Sequence, residues 1–224
     1  MKKRNKKKII IIVISSIVAA LVLAVAIPFT IFGIRSLDIK SDYSYLKSNP
    51  TYSSKVEVTG VDLVTQHVSC GYATIEMMST YYGNKVTEDE LGARNRTVST
   101  STSNGFLKEI NNSIPSKSFV KHTYLKNDVL LKEVAISLKN NNPVAVEWAA
   151  QYKGEWTLHF SVITGIDIAN DNVTIYNPYG YIENITVDSF ISRTTFEAYS
   201  NLPIFLAFGF AFGAFHKNAI FFAV

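Results

Sequence analysis

Between Ile9 and Ile34 the chain runs for 26 residues without a charge, broken only by Ser15, Ser16, Pro28, Thr30 and Gly33. At about 1.5 Å per residue this run makes a helix of roughly 39 Å, longer than a hydrocarbon core of about 30 Å. The pattern predicts a transmembrane helix over residues 9–34. A secretory signal peptide is the competing reading, because Ala24-Val25-Ala26 fits a small-residue cleavage site. The apolar run continues past that site through Ile27, Phe29, Ile31, Phe32 and Ile34, which favours an uncleaved anchor. Under either reading the rest of the chain is exported.

Residues 35–57 are rich in Ser, Asn, Pro and Tyr and show little periodicity, which suits a stalk. The folded unit is expected over residues 58–224. Helical patterns come first. Cys70 to Tyr82 repeats Ala73, Met77 and Tyr81 at helical spacing and is closed by Gly83 as a C-cap. Thr87-x-x-Glu90 fits a capping box ahead of Leu91, and 106–114 and 129–140 are further helix candidates. After Asn142 the runs PVAVEW (143–148), LHFSVITGID (158–167) and VTIYN (173–177) read as strands. Helices followed by strands point to an α+β fold rather than βαβ alternation. Residues 202–224 hold seven of the fourteen Phe residues. Leu202 to Phe215 is too short for a second span, and the alternation of Phe208, Phe210 and Phe212 with Gly and Ala predicts a core strand. A surface that contacts the membrane or a partner is the other reading.

Charge sharpens the organisation. The net charge is +4, with 22 Lys+Arg against 18 Asp+Glu, but six of the 22 lie in the first eight positions, leaving 16 against 18 elsewhere. The positive charge therefore belongs to a tail, residues 1–8, and not to a stripe on the domain, which excludes a nucleic-acid partner. A basic cluster before the apolar run and balanced charges after it place the N-terminus in the cytoplasm. A single-pass cell-membrane protein with an extracytoplasmic domain, of the Gram-positive bacterial kind, is expected.

Cys70 is the only cysteine, so it forms no disulfide within the chain and is either a buried small residue or a chemical group. It opens the helix closed by Gly83, and unsatisfied N–H groups at a helix N-terminus favour thiolate. Thiol chemistry needs a base, and the candidates are His67, His122, His159 and His216. His159 lies in a strand-like run with Asn177 at the end of the next. Adjacent strands would let the Asn177 oxygen accept the His159 Nδ1–H and fix the ring. Gln66 and the Cys70 backbone N–H are candidate donors to an oxyanion. His67, close to Cys70 in sequence, is the substitute base. The scattered His residues and single Cys do not make a metal site by spacing.

These residues resemble a known family. Gln66…Cys70-Gly71…Tyr81-Tyr82-Gly83, then His159-Phe160-Ser161-Val162-Ile163-Thr164-Gly165, then Asn177-Pro178-Tyr179-Gly180, look like the C39-like branch of the papain-like cysteine peptidases, over roughly residues 58–185. The resemblance implies a papain-like fold, with helices packed on an antiparallel sheet that carries His and Asn. It implies Cys70 as nucleophile, His159 as general base and acid, Asn177 as the orienting residue and Gln66 as the oxyanion donor. Two features depart from the family pattern: Asn177 stands where Asp is common, and only three residues separate Gln66 from Cys70.

The expected function is a membrane-tethered, extracytoplasmic cysteine peptidase acting on peptide or protein substrates, with no cofactor and no metal. The substrates most often linked to the family are leader peptides cleaved after Gly-Gly, usually by a cytoplasmic domain of a transporter. This chain has no nucleotide-binding motif and is expected to face outward, so leader removal during export fits it poorly. Acyl transfer or transglutaminase-type chemistry through the same thioester is the nearest rival, and a non-catalytic binding or immunity module the more distant one. Nothing in the sequence fixes an oligomeric state.

Overall fold

The computed structural model describes residues 2–224, with side chains at Lys8 and from Ile10 onward. The basic side chains at positions 2–7, on which the expected orientation of the N-terminus rests, lie outside the described residues. Helix α1 (Lys2–Asp38) carries the apolar run. Its segment Ile10–Asp38 is long and apolar enough to cross a membrane, and its most apolar stretch is not buried against protein.

Residues 39–57, expected as a stalk, fold onto the domain instead. Ile39 and Leu46 are buried, the latter in a 3₁₀ turn over Ser44–Ser48. The Ile39 carbonyl accepts the Asn127 N–H at 2.9 Å. The Ser41 and Tyr45 hydroxyls each donate to Asp128 at 2.7 Å, and Tyr43 donates to Asp188 at 2.7 Å. Few apolar residues enter the core here and hydroxyls make the remaining contacts, so hydrophobic periodicity does not register the segment. It ends in β1 (Val56–Glu57).

Four capped or amphipathic helices follow: α2 (Cys70–Tyr81), α3 (Glu88–Arg94), α4 (Ser103–Ser113) and α5 (Asn127–Lys139), with strand β2 (Phe119–His122) between the last two. Ser69, Thr87 and Thr102 each accept a hydrogen bond from a first-turn N–H, satisfying donors that the helix itself cannot. The capping box at Thr87 and Glu90 is present in both directions. Helix α2 stops where Gly83 takes φ +77°, a conformation that disfavours side chains.

The second half supplies β3 (Val144–Tyr152), β4 (Glu155–Asp167), β5 (Asn172–Asn177), β6 (Tyr181–Ile185), helices α6 (Val187–Thr194) and α7 (Ile204–Ala211), and β7 (Ala219–Ala223). The strands form one sheet in the order β2-β7-β3-β4-β5-β6, every pairing antiparallel. β1 joins β4 at Val56↔Ile166, just beyond the last β3 pairing, Val144↔Ile163. The fold is α+β, as the order of helical and strand-like patterns predicts. Phe106 of α4 stacks on Phe160 of β4 at 4.3 Å and meets Phe221 of β7 edge-on at 4.7 Å, tying the helical half to the sheet.

The Phe-rich segment is a helix rather than a strand up to Ala211, and only Ala219–Ala223 is extended. A period of two contains a period of four, and here the rows at four decide. Leu206 and Phe210 form a buried row, while Ile204, Phe208 and Phe212 form an exposed one. Phe208 and Phe212 stack within 6.0 Å, and an added Cβ at Gly209 would fall 2.3 Å from the Phe215 ring. Phe29 and Phe32 of α1 pack on this helix, against Phe208 at 5.0 Å and Phe210 at 5.6 Å.

Candidate active site

Cys70 is the first residue of α2, held there by three devices. The Ser69 side chain caps the helix through the Tyr72 N–H at 3.1 Å. Gly71 lets the 95–102 segment approach, since a Cβ at position 71 would lie 2.3 Å from the Thr100 hydroxyl. The third is Glu88, a fully buried side chain at the start of α3. Its carboxylate accepts the backbone N–H groups of His67, Val68 and Ser69 at 3.0, 2.7 and 2.6 Å. The short connection from Gln66 to Cys70 is thus wrapped around one carboxylate, a charge-assisted arrangement that fixes the loop before the thiol. The sequence reading of this helix start rests on Thr87 and Glu90 and misses Glu88.

His159 on β4 and Asn177 at the end of β5 come together across the sheet, with ring Nε2 2.9 Å from Asn177 Oδ1. This is the other ring nitrogen from the one expected. The reason lies one residue further out. Glu183 on β6 accepts from the Asn177 amide NH₂ at 2.6 Å, and its second oxygen pairs with Arg193 at 2.6 Å. A carboxylate held by an arginine only accepts, so it draws the NH₂ toward itself and turns the Asn177 oxygen to His159. That oxygen also takes the Tyr179 N–H at 2.9 Å. His159 must then donate from Nε2, which leaves a lone pair on Nδ1. Glu183 carries no sequence signal, because β6 has no alternating apolar pattern.

Burial governs the electrostatics. The His159 side chain is 1% exposed, stacked under the Tyr179 ring at 4.1 Å. Desolvation pushes its pKa down to about 3, against the pull of the Asn177 hydrogen bond. Desolvation pushes the Cys70 thiol up to about 11, while the neighbouring backbone of Phe160 and Gly71 favours the thiolate. Burial thus favours the neutral form of each group, and at Cys70 it outweighs the helix N-terminus.

The thiol borders an apolar groove of about 430 Å³ lined by Thr100, Trp156, Leu158, Phe205 and Phe215 among others. Gln66 does not line this groove but a smaller cavity of about 300 Å³ with Tyr152, Pro178 and Tyr179, the ring stacked on His159. Its backbone N–H donates to the Pro178 carbonyl at 2.7 Å, and its side-chain oxygen is buried without a partner.

The other histidines are occupied. Both ring nitrogens of His67 face carboxylates, Glu88 at 2.9 Å and Asp89 at 2.6 Å, and the Asp89 hydrogen bond, then the Glu88 charge, raise its pKa. The proposed substitute base is an ion-pairing group. His122 holds Glu133 at 2.6 Å. His216 meets Ser103 at 2.9 Å, and Ser103 donates to the buried Glu147 at 2.5 Å. Desolvation raises Glu147 to about 8 and lowers His216 to about 4. Among the described residues no cluster of His, Cys, Asp and Glu is suited to a metal ion.

A crystal structure of a double glycine motif protease from an AMS/PCAT transporter, in complex with the leader peptide, is similar to this chain with a TM-score of 0.50 and 18% identity. The match covers 75% of this chain and 97% of that one, and it shows that the helices and antiparallel sheet described above share the fold of that protease domain. No curated protein sequence matches. The model of the Peptidase_C39 like family matches residues 58–204, a span that contains Cys70, His159, Asn177 and the strands that bring the last two together. On that match the chain belongs to the Peptidase_C39 like family and is a cysteine peptidase.

Proposed function

We propose that Cys70, His159 and Asn177 are the catalytic residues of a membrane-tethered peptidase whose domain faces outward. The hydrogen-bonded chain from Glu183 through Asn177 to His159 carries this reading, because it leaves the imidazole one basic nitrogen, Nδ1, on the residue next to Phe160, whose backbone hydrogen-bonds the thiol. Nδ1 takes the Cys70 proton as the sulfur attacks the peptide carbonyl carbon, so thiolate and imidazolium form together when substrate fills the groove. The Cys70 backbone N–H donates to the oxyanion, and Gln66, which shares the Tyr179 ring with His159 as a neighbour, is the candidate second donor. The imidazolium protonates the leaving amine, and water, deprotonated at Nδ1, releases the acid from the thioester. Asn177 keeps the ring oriented throughout. The apolar helix α1 supports tethering, and the charge distribution on its two sides supports an extracytoplasmic domain.

A peptidyl vinyl sulfone tests the assignment. Labelling at Cys70, lost in both Cys70→Ala and His159→Ala, is expected. Labelling that survives in His159→Ala at the parent rate overturns it, and an acyl-amine product formed in preference to free acid when amine is added overturns hydrolysis in favour of acyl transfer.

A further inference from the structure

Among the described residues, the outer face of α7 is largely uncovered. Ile204 is 76% exposed, Phe205 67% and Phe212 56%, and Phe208 is partly covered only where Phe29 of α1 meets it. From Leu202 to Phe215 there is no charge. Four large apolar side chains on one short helix are a costly surface in water.

Its position names what covers it. The charge-free part of α1 ends at Ile34, and α7 packs on Phe29 and Phe32, which lie about 9 Å and about 4.5 Å below Arg35 along the helix axis. If α1 spans a bilayer, these contacts hold α7 at the depth where interfacial helices bury their apolar face, about 5–10 Å into the headgroup and acyl boundary. Cations stand at the same level: Lys217 lies over the Phe32 ring at 5.3 Å and Arg35 over Tyr124 at 5.3 Å, an arrangement suited to the membrane interface. The inner side of the same helix builds the groove. Leu206 packs with Trp156, Leu158 and Phe215, and all four line the cavity beside Cys70, with Phe205 at its lip.

We propose that the outer face of α7 lies in the headgroup boundary of the bilayer beside α1, so that the Cys70 groove opens at the membrane surface and takes a peptide that presents a bulky apolar side chain there. The substrate half of this rests on the peptidase reading above. The membrane half rests instead on α1 spanning the bilayer.

The full chain carrying Cys70→Ser, with a nitroxide attached through Ile204→Cys, Phe212→Cys or, as a control, the exposed Lys117→Cys, is reconstituted in phosphatidylcholine/phosphatidylglycerol vesicles. Labels at 204 and 212 are expected to collide with dissolved oxygen and to be shielded from a water-soluble nickel chelate, with the reverse at 117. Nickel access at 204 and 212 equal to that at 117 overturns the membrane face. So does dipolar broadening between labels at 212 that vanishes on dilution with unlabelled chain, since that assigns the face to a second copy. With Cys70 intact, one Leu- or Phe-containing peptide is offered free and N-acylated, the acylated form bound to the same vesicles. Cleavage at least tenfold faster for the bound form is expected, and equal rates overturn the substrate half. Cleavage of neither form overturns the peptidase reading itself, while the nickel and oxygen data still decide the membrane face.

Discussion

Asn177 receives the His159 Nε2–H at 2.9 Å because Glu183 holds the other end of its amide at 2.6 Å. Asn stands where the family resemblance leads to an expectation of Asp, and Glu183 supplies a physical reason for Asn. An Asp at 177 would set two carboxylates in near contact with no proton between them.

Asn177→Asp is accordingly expected to lower kcat/KM by about tenfold to a hundredfold, the usual scale for an orienting partner. Adding Glu183→Gln should recover much of that loss, because Gln offers an NH₂ to the new carboxylate. Steady-state kinetics of the two single variants and the double variant check this, and purely additive losses would refute it.

Glu183→Ala alone should free the Asn177 amide to rotate. The His159 ¹⁵N shifts are expected to change from a single Nε2–H tautomer to a mixture, with a fall in kcat larger than any change in KM. Unchanged ring nitrogen shifts would remove Glu183 from the positioning chain.

The burial of both partners predicts an unusual pH response in the substrate-free protein. Alkylation of Cys70 by iodoacetamide should be slow at neutral pH and rise toward an inflection near 11, where burial has moved the thiol. Tyr179→Ala uncovers the imidazole and should move His159 upward from about 3 toward the ordinary histidine range, read by the ring C–H shifts in an NMR titration.

How much of this was legible depends on what each residue answers to. The helix from Cys70 to Gly83 is written in local chemistry, a helical spacing of apolar residues closed by a stop glycine, and its bounds follow from the sequence, the Ser69 cap being added by the structure. The strands bearing His159 and Asn177 announce themselves by β-branched runs. The choice of ring nitrogen does not, because it is set by a carboxylate on the next strand, in a segment with no apolar alternation. Glu88 escapes for a similar reason: its partners are backbone N–H groups, which every residue has. Helix α7 is misread because phenylalanine at every second position satisfies two periods, and only packing against α1 and Phe215 chooses between them.

Glu88→Ala strands three backbone donors and the His67 ring, and should destabilise the fold by about 3–5 kcal/mol, the scale for breaking a buried charged arrangement. Glu88→Gln keeps an acceptor and should cost less, yet lose activity as the loop before Cys70 relaxes. Urea unfolding midpoints with kinetics at low temperature separate the two effects.

Glu147 makes stability fall as pH rises. Its pKa is raised in the fold to about 8 from an ordinary value of about 4.5, with Lys121 and His216 facing it and His216 neutral above about 4. The proton held only by the folded state stabilises it fully below about 4.5, and this contribution declines until about 8. Glu147→Gln should flatten the slope of unfolding free energy across that window, measured by denaturation at several pH values.

The docking of residues 39–57 also sets where this chain can be cut. The family match begins at residue 58, yet a chain starting there would leave unfilled the core site of Leu46, strip β4 of its β1 neighbour and take from Asp128 the Ser41 and Tyr45 hydroxyls that help hold its carboxyl well below the usual range. The packed unit therefore reaches back at least to Ile39. A protease nicking a dozen residues beyond Ile39 would strip these contacts, whereas one nicking between Arg35 and Asp38 would spare them and remove only the α1 rings that cover α7.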